Sequence, residues 1–265
     1  IEAGGTGLSG GLDNSTNNMV AAQLSRLFDL TGPAMVVQAA CASSLVALHQ
    51  ARRSLQHGEC DQALVGGIEL IHTPTLYHLF GQSGVLSSQG ACVPFSDSAD
   101  GFVPGEGAVA VVLKRLVDAQ RDGDSIYALI RGSAVGNDGR VFSQMAPNPR
   151  GQVDVMRRAL LESGIDAQSI GFVETHGTAT PVGDTVELRA LHQVYGRTGS
   201  TVGMSSIKSN LGHLLAAAGL ASVVKAVLCL QKGRMAPIAG FRRVNPRLDL
   251  DGRFVPLGAS CDWER

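Results

Sequence analysis

One cysteine in this sequence has neighbours that favour nucleophilic chemistry. Cys41 follows a β-branched segment, residues 34–38, and a turn of small residues, and an amphipathic helical pattern starts at it. This order predicts a thiol at the positive end of a helix, where unpaired N–H groups favour the thiolate. A thiolate can carry an acyl group as a thioester. The alternative is that Cys41 is a buried small apolar residue, as most free cysteines are.

Two histidines lie in loops with glycine and threonine around them. His176 begins the loop 176–184 after a predicted strand, and His213 follows residues 208–212 before an alanine-rich segment. Functional groups of α/β proteins gather at strand ends. Glycine lets a ligand approach the backbone, and threonine hydroxyls can hydrogen-bond an amide-bearing ligand. We interpret both as candidate site residues and the remaining five as ordinary polar side chains: His49, His57, His72, His78 and His192.

Helices and strands alternate along much of the sequence, which predicts an α/β fold. The predicted helices cover residues 14–30, 41–56, 149–163, 184–195 and a long apolar stretch from His213. The predicted strands precede Cys41 and cover residues 61–67, 108–113, 126–135, 169–174 and 201–208. Residues 72–100 are rich in Ser, Gly and Pro, so we expect a long functional loop region there.

Composition narrows the possible functions. The 265 residues are 44% hydrophobic and 17% charged, with a net charge of −1, which suits a buried core and argues against a nucleic-acid partner. The five cysteines form no Cys-x-x-Cys pair, so we expect no disulfide scaffold, no metal site and an intracellular, cytoplasmic setting. The N-terminus lacks signal-peptide features. Residues 214–230 contain a lysine, so we expect a buried helix and no membrane contact.

Four sequence blocks, in order along the chain, resemble the signature blocks of β-ketoacyl synthases, most of all ketosynthase domains of type I polyketide synthases. The blocks are residues 39–49, 100–107, 176–184 and 208–219. The resemblance implies an α/β, thiolase-like layered fold that lacks most of its N-terminal half. It also implies two regions: residues 1–167 would carry the nucleophile, and residues 168–265 would carry both catalytic histidines.

The resemblance assigns a role to each matching residue. Cys41 would accept an acyl chain, while His176 and His213 would assist decarboxylation of a malonyl-type extender and stabilise its enolate. Lys208 would set the charge and position of the histidines. Two threonines match positions that hydrogen-bond the phosphopantetheine arm, namely Thr178 and Thr180. The domain would bind no cofactor of its own, because its substrates arrive on the phosphopantetheine arm of an acyl carrier protein.

The sequence departs from the family pattern at several positions. Gln38-Ala39 stands where Asp-Thr is usual, Ser96 where aspartate is usual, and Ala179 where glycine is common. Relatives continue further at both ends, so we expect a truncated domain without the Gly-rich segment that supplies an oxyanion-hole N–H. In block 100–107 we expect Asp100 and Glu106 to shape the loop beside the site.

Three hypotheses follow. The first is a condensing ketosynthase that joins a Cys41-bound acyl group to the extender in polyketide or fatty acid biosynthesis. The second is a related acyltransferase or decarboxylase that does not elongate. The third is an inactive ketosynthase fragment that serves in docking. The resemblance implies an acyl carrier protein, neighbouring acyltransferase and other synthase domains as partners, and a homodimer when the domain is complete.

Overall fold

The computed structural model describes residues 18–141, 146–196, 199–250 and 252–263. Its α-helices are α1 Met19–Leu27, α2 Ser43–His57, α3 Thr75–Gln82, α4 Leu116–Asp122, α5 Pro149–Ser163, α6 Pro181–Tyr195, α7 Lys208–Leu211 and α8 Ala218–Lys232. Two short 3₁₀ turns cover Ala167–Ser169 and Leu215–Ala217. The strands are β1 Gln62–Glu69, β2 Gly107–Lys114, β3 Phe172–Glu174, β4 Val202–Ser205, β5 Arg234–Met235, β6 Phe254–Pro256 and β7 Cys261–Asp262.

Three small sheets organise the described residues. Strands β1 and β2 form an antiparallel pair from Gln62↔Lys114 to Glu69↔Gly107. Strands β3, β4 and β6 form a parallel sheet in the order β3-β4-β6. Strands β5 and β7 form a short antiparallel pair. The mixture of parallel strands and covering helices confirms the predicted α/β class.

The main core lies on the parallel sheet. Val202 and Met204 of β4 and Phe254 of β6 are fully buried, as expected for a central strand and its neighbour. They form one apolar cluster with residues of α6 and of the loops that surround the sheet: Phe95, Leu188, Leu191, Ile238 and Leu248. A second cluster joins α2, β1 and α8 through Leu48, Val65 and Leu220. The two clusters fix the sheet and the helix that carry the candidate residues.

Two predicted strands are absent. Residues 34–38 and 126–135 have no ladder partner among the described residues, and several of their apolar side chains are exposed, including Met35, Tyr127 and Leu129. A strand exists only when a neighbour accepts its backbone hydrogen bonds, and β propensity alone supplies no neighbour. The prediction of a continuous loop over residues 72–100 was also wrong in part, because this segment contains helix α3. Of the predicted helix 14–30, residues 14–17 lie outside the described part.

Helix α8 is the apolar helix that the sequence predicts near His213. The stretch Leu215–Lys232 is long and apolar enough to cross a bilayer by length and composition, yet 44% of it is buried inside the protein. Core helices pass the same test. One face of α8 is buried against α2 and the sheets, and that face includes Leu220, Lys225 and Cys229. The packing agrees with the expectation of a buried helix.

Candidate active site

Cys41 lies in a tight turn that is closed by one serine. The Ser43 hydroxyl donates to the carbonyl of Ala40 at 2.7 Å and accepts the N–H of Ala39 at 2.8 Å. Ala40 takes the left-handed conformation, with φ 48°, so the chain reverses just before the cysteine. Helix α2 then begins at Ser43. The structure therefore places the Cys41 thiol at the start of a helix, as the sequence predicts.

The charge state of this thiol differs from the simple expectation. Burial raises the pKa of the half-buried Cys41 thiol, the positive charge of Lys208 lowers it, and the charge of Glu69 raises it; the net direction is upward. The helix N-terminus alone would favour the thiolate. Desolvation is the larger effect here, so the unliganded protein holds a thiol that Lys208 helps to ionise.

His213 is buried and has a defined tautomer. Its side chain is 1% exposed, and its Nδ1 accepts the backbone N–H of Leu215 at 3.1 Å. An N–H donor requires an unprotonated acceptor, so the ring proton of the neutral imidazole resides on Nε2. The backbone is fixed as well, because His213 N–H donates to Val103 at 2.7 Å and its carbonyl accepts from Gly105 at 2.9 Å. The site therefore contains a fixed Nε2–H donor.

His176 lies beside His213 although 37 positions separate them in the sequence. The two ring centroids are 5.5 Å apart and the ring planes meet at 81°. His176 follows the carboxyl end of β3, and Glu187 of α6 holds its backbone. The Glu187 carboxylate accepts the N–H of His176 at 2.7 Å and the N–H of Gly177 at 2.9 Å. Both histidines are thus positioned through their backbones, and His213 also through its Nδ1, which leaves the Nε2–H of His213 available.

Lys208 connects the cysteine to the histidines electrostatically. Its side chain is 2% exposed at the start of α7. Burial lowers the pKa of Lys208, whereas Glu187 and Glu174 raise it. Its positive charge in turn lowers the pKa of Cys41, His176 and His213. The structure therefore brings four of the predicted residues into one electrostatic neighbourhood.

Both imidazoles are held neutral. The His176 ring keeps an exposed face, but desolvation by the surrounding protein and then the Lys208 charge lower its pKa to about 3. Burial and the same lysine lower the pKa of His213 to about 2. A neutral imidazole has one ring nitrogen that donates a hydrogen bond and one that accepts.

Thr178 and Thr180 lie on the loop that leads from His176 into α6. Their hydroxyl oxygens are 3.1 Å apart. Ala179 between them is fully buried and has φ 56°, a conformation in which glycine would be unstrained. The two hydroxyls lie side by side on the loop that begins with His176. Each can donate or accept a hydrogen bond, which suits an amide-bearing ligand.

Sequence reasoning missed several charged or polar residues around the site. Asp184 is buried, accepts the N–H of Phe95 at 2.7 Å, and has its pKa raised to about 7 by burial. Cys92 is buried next to the carbonyl of Gly177, and burial raises the pKa of its thiol to about 12. The i, i+3 spacing of Asp184 and Glu187 on α6 was the available signal, because it places both carboxylates on one helix face.

The block 100–107 contributes loop structure. The Asp100 carboxylate accepts the hydroxyls of Ser87 and Ser88, each at 2.6 Å, and the N–H of Ser88 at 3.0 Å. Glu106 accepts the N–H of Ile71. Both carboxylates therefore organise neighbouring loops, in agreement with the role expected from the sequence.

Comparison with protein families agrees with this architecture. Residues 4–119 match the β-ketoacyl synthase N-terminal domain, and residues 127–242 match the β-ketoacyl synthase C-terminal domain. The fold is the thiolase-like fold of ketosynthases. The chain belongs to the β-ketoacyl synthase family.

Solved structures and curated relatives place the chain near polyketide synthases. The ketosynthase from module 6 of the bacillaene synthase of Bacillus subtilis 168 aligns with a TM-score of 0.92 and 39% identity, over 96% of this chain and 46% of that chain. A phenolphthiocerol/phthiocerol polyketide synthase of Mycobacterium tuberculosis is 45% identical over 250 residues, which is 93% of this chain and 13% of that protein.

A fungal relative extends this similarity. Mellein synthase of Phaeosphaeria nodorum is 43% identical over 238 residues, 89% of this chain and 13% of that protein. The chain thus spans less than half of the solved ketosynthase and about an eighth of these two relatives.

The neutral His213 ring predicts a pH-dependent stability. Folding lowers the pKa of His213 from 6.5 to about 2. Below about pH 6.5 the unfolded chain therefore binds a proton at this residue and the folded chain does not, so the unfolding free energy decreases as the pH falls. His213→Asn keeps an acceptor for Leu215 and removes this titration. Between about pH 7.5 and about pH 5.5, the wild type should lose about 1.4 kcal/mol more unfolding free energy than the variant. Urea unfolding at both pH values measures this, and identical losses would contradict it.

The contact between Gly105 and the His213 backbone predicts a second result. A Cβ at residue 105 would overlap the carbonyl oxygen of Leu211, and backbone cannot move aside cheaply. Gly105→Ala should therefore reduce the unfolding free energy by about 1–3 kcal/mol. Gly66→Ala on β1 is the control, because its nearest neighbour would be the Val109 oxygen at 3.8 Å. Equal urea midpoints for the two variants would show that the 105 position has room.

Proposed function

We propose that this chain is the ketosynthase domain of a type I polyketide synthase and catalyses decarboxylative Claisen condensation. The observation that carries the proposal is the pair of neutral histidine rings, 5.5 Å apart, within the field of the same lysine that acts on Cys41. A nucleophile that binds an acyl group and two donors for an enolate oxygen are the groups that this reaction needs.

Acyl transfer to the enzyme is the first step. Cys41 releases its proton, its sulfur attacks the thioester carbonyl of an acyl group on a phosphopantetheine arm, and the arm leaves as a thiolate that takes up a proton from solvent. The attacking form is the thiolate, which Lys208 stabilises against the cost of burial. Thiolates are also good leaving groups, so the Cys41 thioester remains reactive toward a carbon nucleophile.

Carbon–carbon bond formation follows. A malonyl-type thioester loses CO2, and the electron pair of the broken bond moves into an enolate. The Nε2–H of His213 and a ring N–H of His176 stabilise the enolate oxygen, each lowering the barrier by about 3–4 kcal/mol, as oxyanion donors do. The enolate carbon attacks the Cys41 thioester, the thiolate leaves, and a β-ketoacyl thioester remains on the arm.

The same site accounts for binding of the arm. Thr178 and Thr180 hydrogen-bond the pantetheine amides as these pass along the loop into α6. No resident cofactor takes part, because the arm arrives with the substrate. Residues 1–167 supply the nucleophile and residues 168–265 the histidines; the matched family domains divide the chain earlier, between residues 119 and 127.

The domain works with partners in this proposal. An acyl carrier protein delivers both substrates, neighbouring acyltransferase and other synthase domains load and process them, and the complete domain forms a homodimer in the cytoplasm. Support comes from the relatives, which are named as polyketide synthases or as ketosynthases of defined modules. A non-elongating acyltransferase is the second candidate, since acyl transfer to Cys41 would be the same in both.

Separate variants test the two steps. The wild-type protein, incubated with an acyl thioester of phosphopantetheine, should gain the acyl mass on the Cys41 peptide, and Cys41→Ala should lose this labelling completely. His213→Asn should retain labelling but lose malonyl decarboxylation and condensation by about a hundredfold or more. Cys261→Ala, at an exposed cysteine, is the control and should behave as the wild type.

Mass spectrometry of the protein and of the released thioesters distinguishes the candidates. Labelling without any β-ketoacyl product in the wild type would favour the non-elongating acyltransferase. Labelling that persists in Cys41→Ala would overturn the proposal.

A further inference from the structure

A second buried lysine contacts the framework behind the site. Lys225 lies on α8 with 7% of its side chain exposed, and its Nζ is 2.9 Å from a carboxylate oxygen of Glu174, whose side chain is 6% exposed. The same Nζ donates to the Ser205 hydroxyl at 2.6 Å. A buried ammonium group is costly unless it is paired and hydrogen-bonded, and here it is both.

These contacts join the segments that carry the site. Glu174 is the last residue of β3, just ahead of His176, and its second carboxylate oxygen accepts the N–H of Ile207 at 2.5 Å. Ser205 ends β4, the strand that leads to Lys208. Helix α8, which carries Lys225, follows His213. One ammonium group therefore contacts two strand ends from a third element.

Glu174 lies within the field of two lysines. Burial raises the pKa of its carboxyl, while Lys225 and, more weakly, Lys208 lower it. Lys225 makes the direct ion pair with Glu174, while the charge of Lys208 also acts on Cys41 and on both histidines. If Lys225 lost its charge, the Lys208 ammonium group would still attract the Glu174 carboxylate.

We propose that Lys225 is a positioning residue for the condensation: by pairing with Glu174 it prevents that carboxylate from drawing Lys208 away from Cys41. Its effect on turnover rests on the proposed function, whereas its effect on the Cys41 thiol does not. Lys225 itself touches no reacting atom in this proposal and acts through Lys208.

The test removes first one charge and then both. Lys225→Met leaves Glu174 buried and unpaired, and Lys225→Met with Glu174→Gln removes the carboxylate charge but keeps an oxygen that can accept the Ile207 N–H. Lys232→Met is the matched control, because Lys232 lies on the same helix and is exposed. Two readouts are used: the pH dependence of Cys41 alkylation by iodoacetamide, followed on its peptide, and the kcat and KM for condensation.

In Lys225→Met, the alkylation midpoint should move up by about one pH unit, because the thiolate loses a nearby positive charge. The kcat should fall tenfold or more while KM for the extender changes little. The double variant should recover most of both losses, and Lys232→Met should match the wild type. A purely structural role instead predicts a lower unfolding free energy together with an unshifted alkylation profile in the folded variants.

Several outcomes decide the proposal. An unshifted alkylation profile in folded Lys225→Met overturns it, and so does a double variant that is no better than the single one. If Lys225→Met does not fold, a folded double variant with a wild-type alkylation profile supports it, and an unfolded or shifted double variant overturns it. If alkylation shifts as expected but the wild type forms no β-ketoacyl product, the condensation proposal fails and the positioning by Lys225 stands.

Discussion

This site depends on two buried ammonium groups whose charges are compensated by two carboxylates. Lys208 and Lys225 are both nearly fully buried, and the negative charges that act on them belong to Glu174 and Glu187. Each charge would cost several kcal/mol alone in this environment, so the four are stable only together. Because they belong to β3, α6, α7 and α8, their mutual compensation also fixes those elements relative to one another.

The same charge balance gives the histidines their chemistry. Burial is the main reason that both imidazoles stay neutral, and the Lys208 charge adds to it while it favours the thiolate of Cys41. A protonated histidine would have no lone pair to accept the Leu215 N–H, and the fixed orientation of His213 would be lost. In the proposed condensation, one buried lysine thus acts on a nucleophile that must ionise and on two donors that must stay neutral.

The sequence was sufficient for the local features of this site and insufficient for those that depend on neighbours. The order of turn, Cys41 and helix, and the Gly- and Thr-rich loop after a strand, are encoded within a few residues, and the structure contains both. The predictions of strands at 34–38 and 126–135 were wrong because strand pairing depends on a second segment of the chain. The predicted direction of the Cys41 pKa shift was wrong because burial outweighs the effect of the helix N-terminus. No local sequence pattern indicates how deeply a thiol is buried. From the sequence alone, Lys225 only argues against a membrane span, because its ion-pair partner Glu174 lies far away along the chain.

Backbone strain is concentrated on the residues that hold these groups. Ala40 before Cys41, Phe95, Ala179 and Leu215 all have positive φ although none is glycine. Three of them use the strained backbone to donate an N–H to a site residue: Leu215 to His213, and Phe95 and Ala179 to Asp184. A left-handed conformation costs an L-residue about 1–2 kcal/mol, and it persists only when surrounding contacts determine it fully. Complete burial of Phe95 and Ala179 provides that determination. The strained backbone at these positions lowers the stability of the fold but fixes the direction of individual N–H groups, which side-chain packing alone could not do.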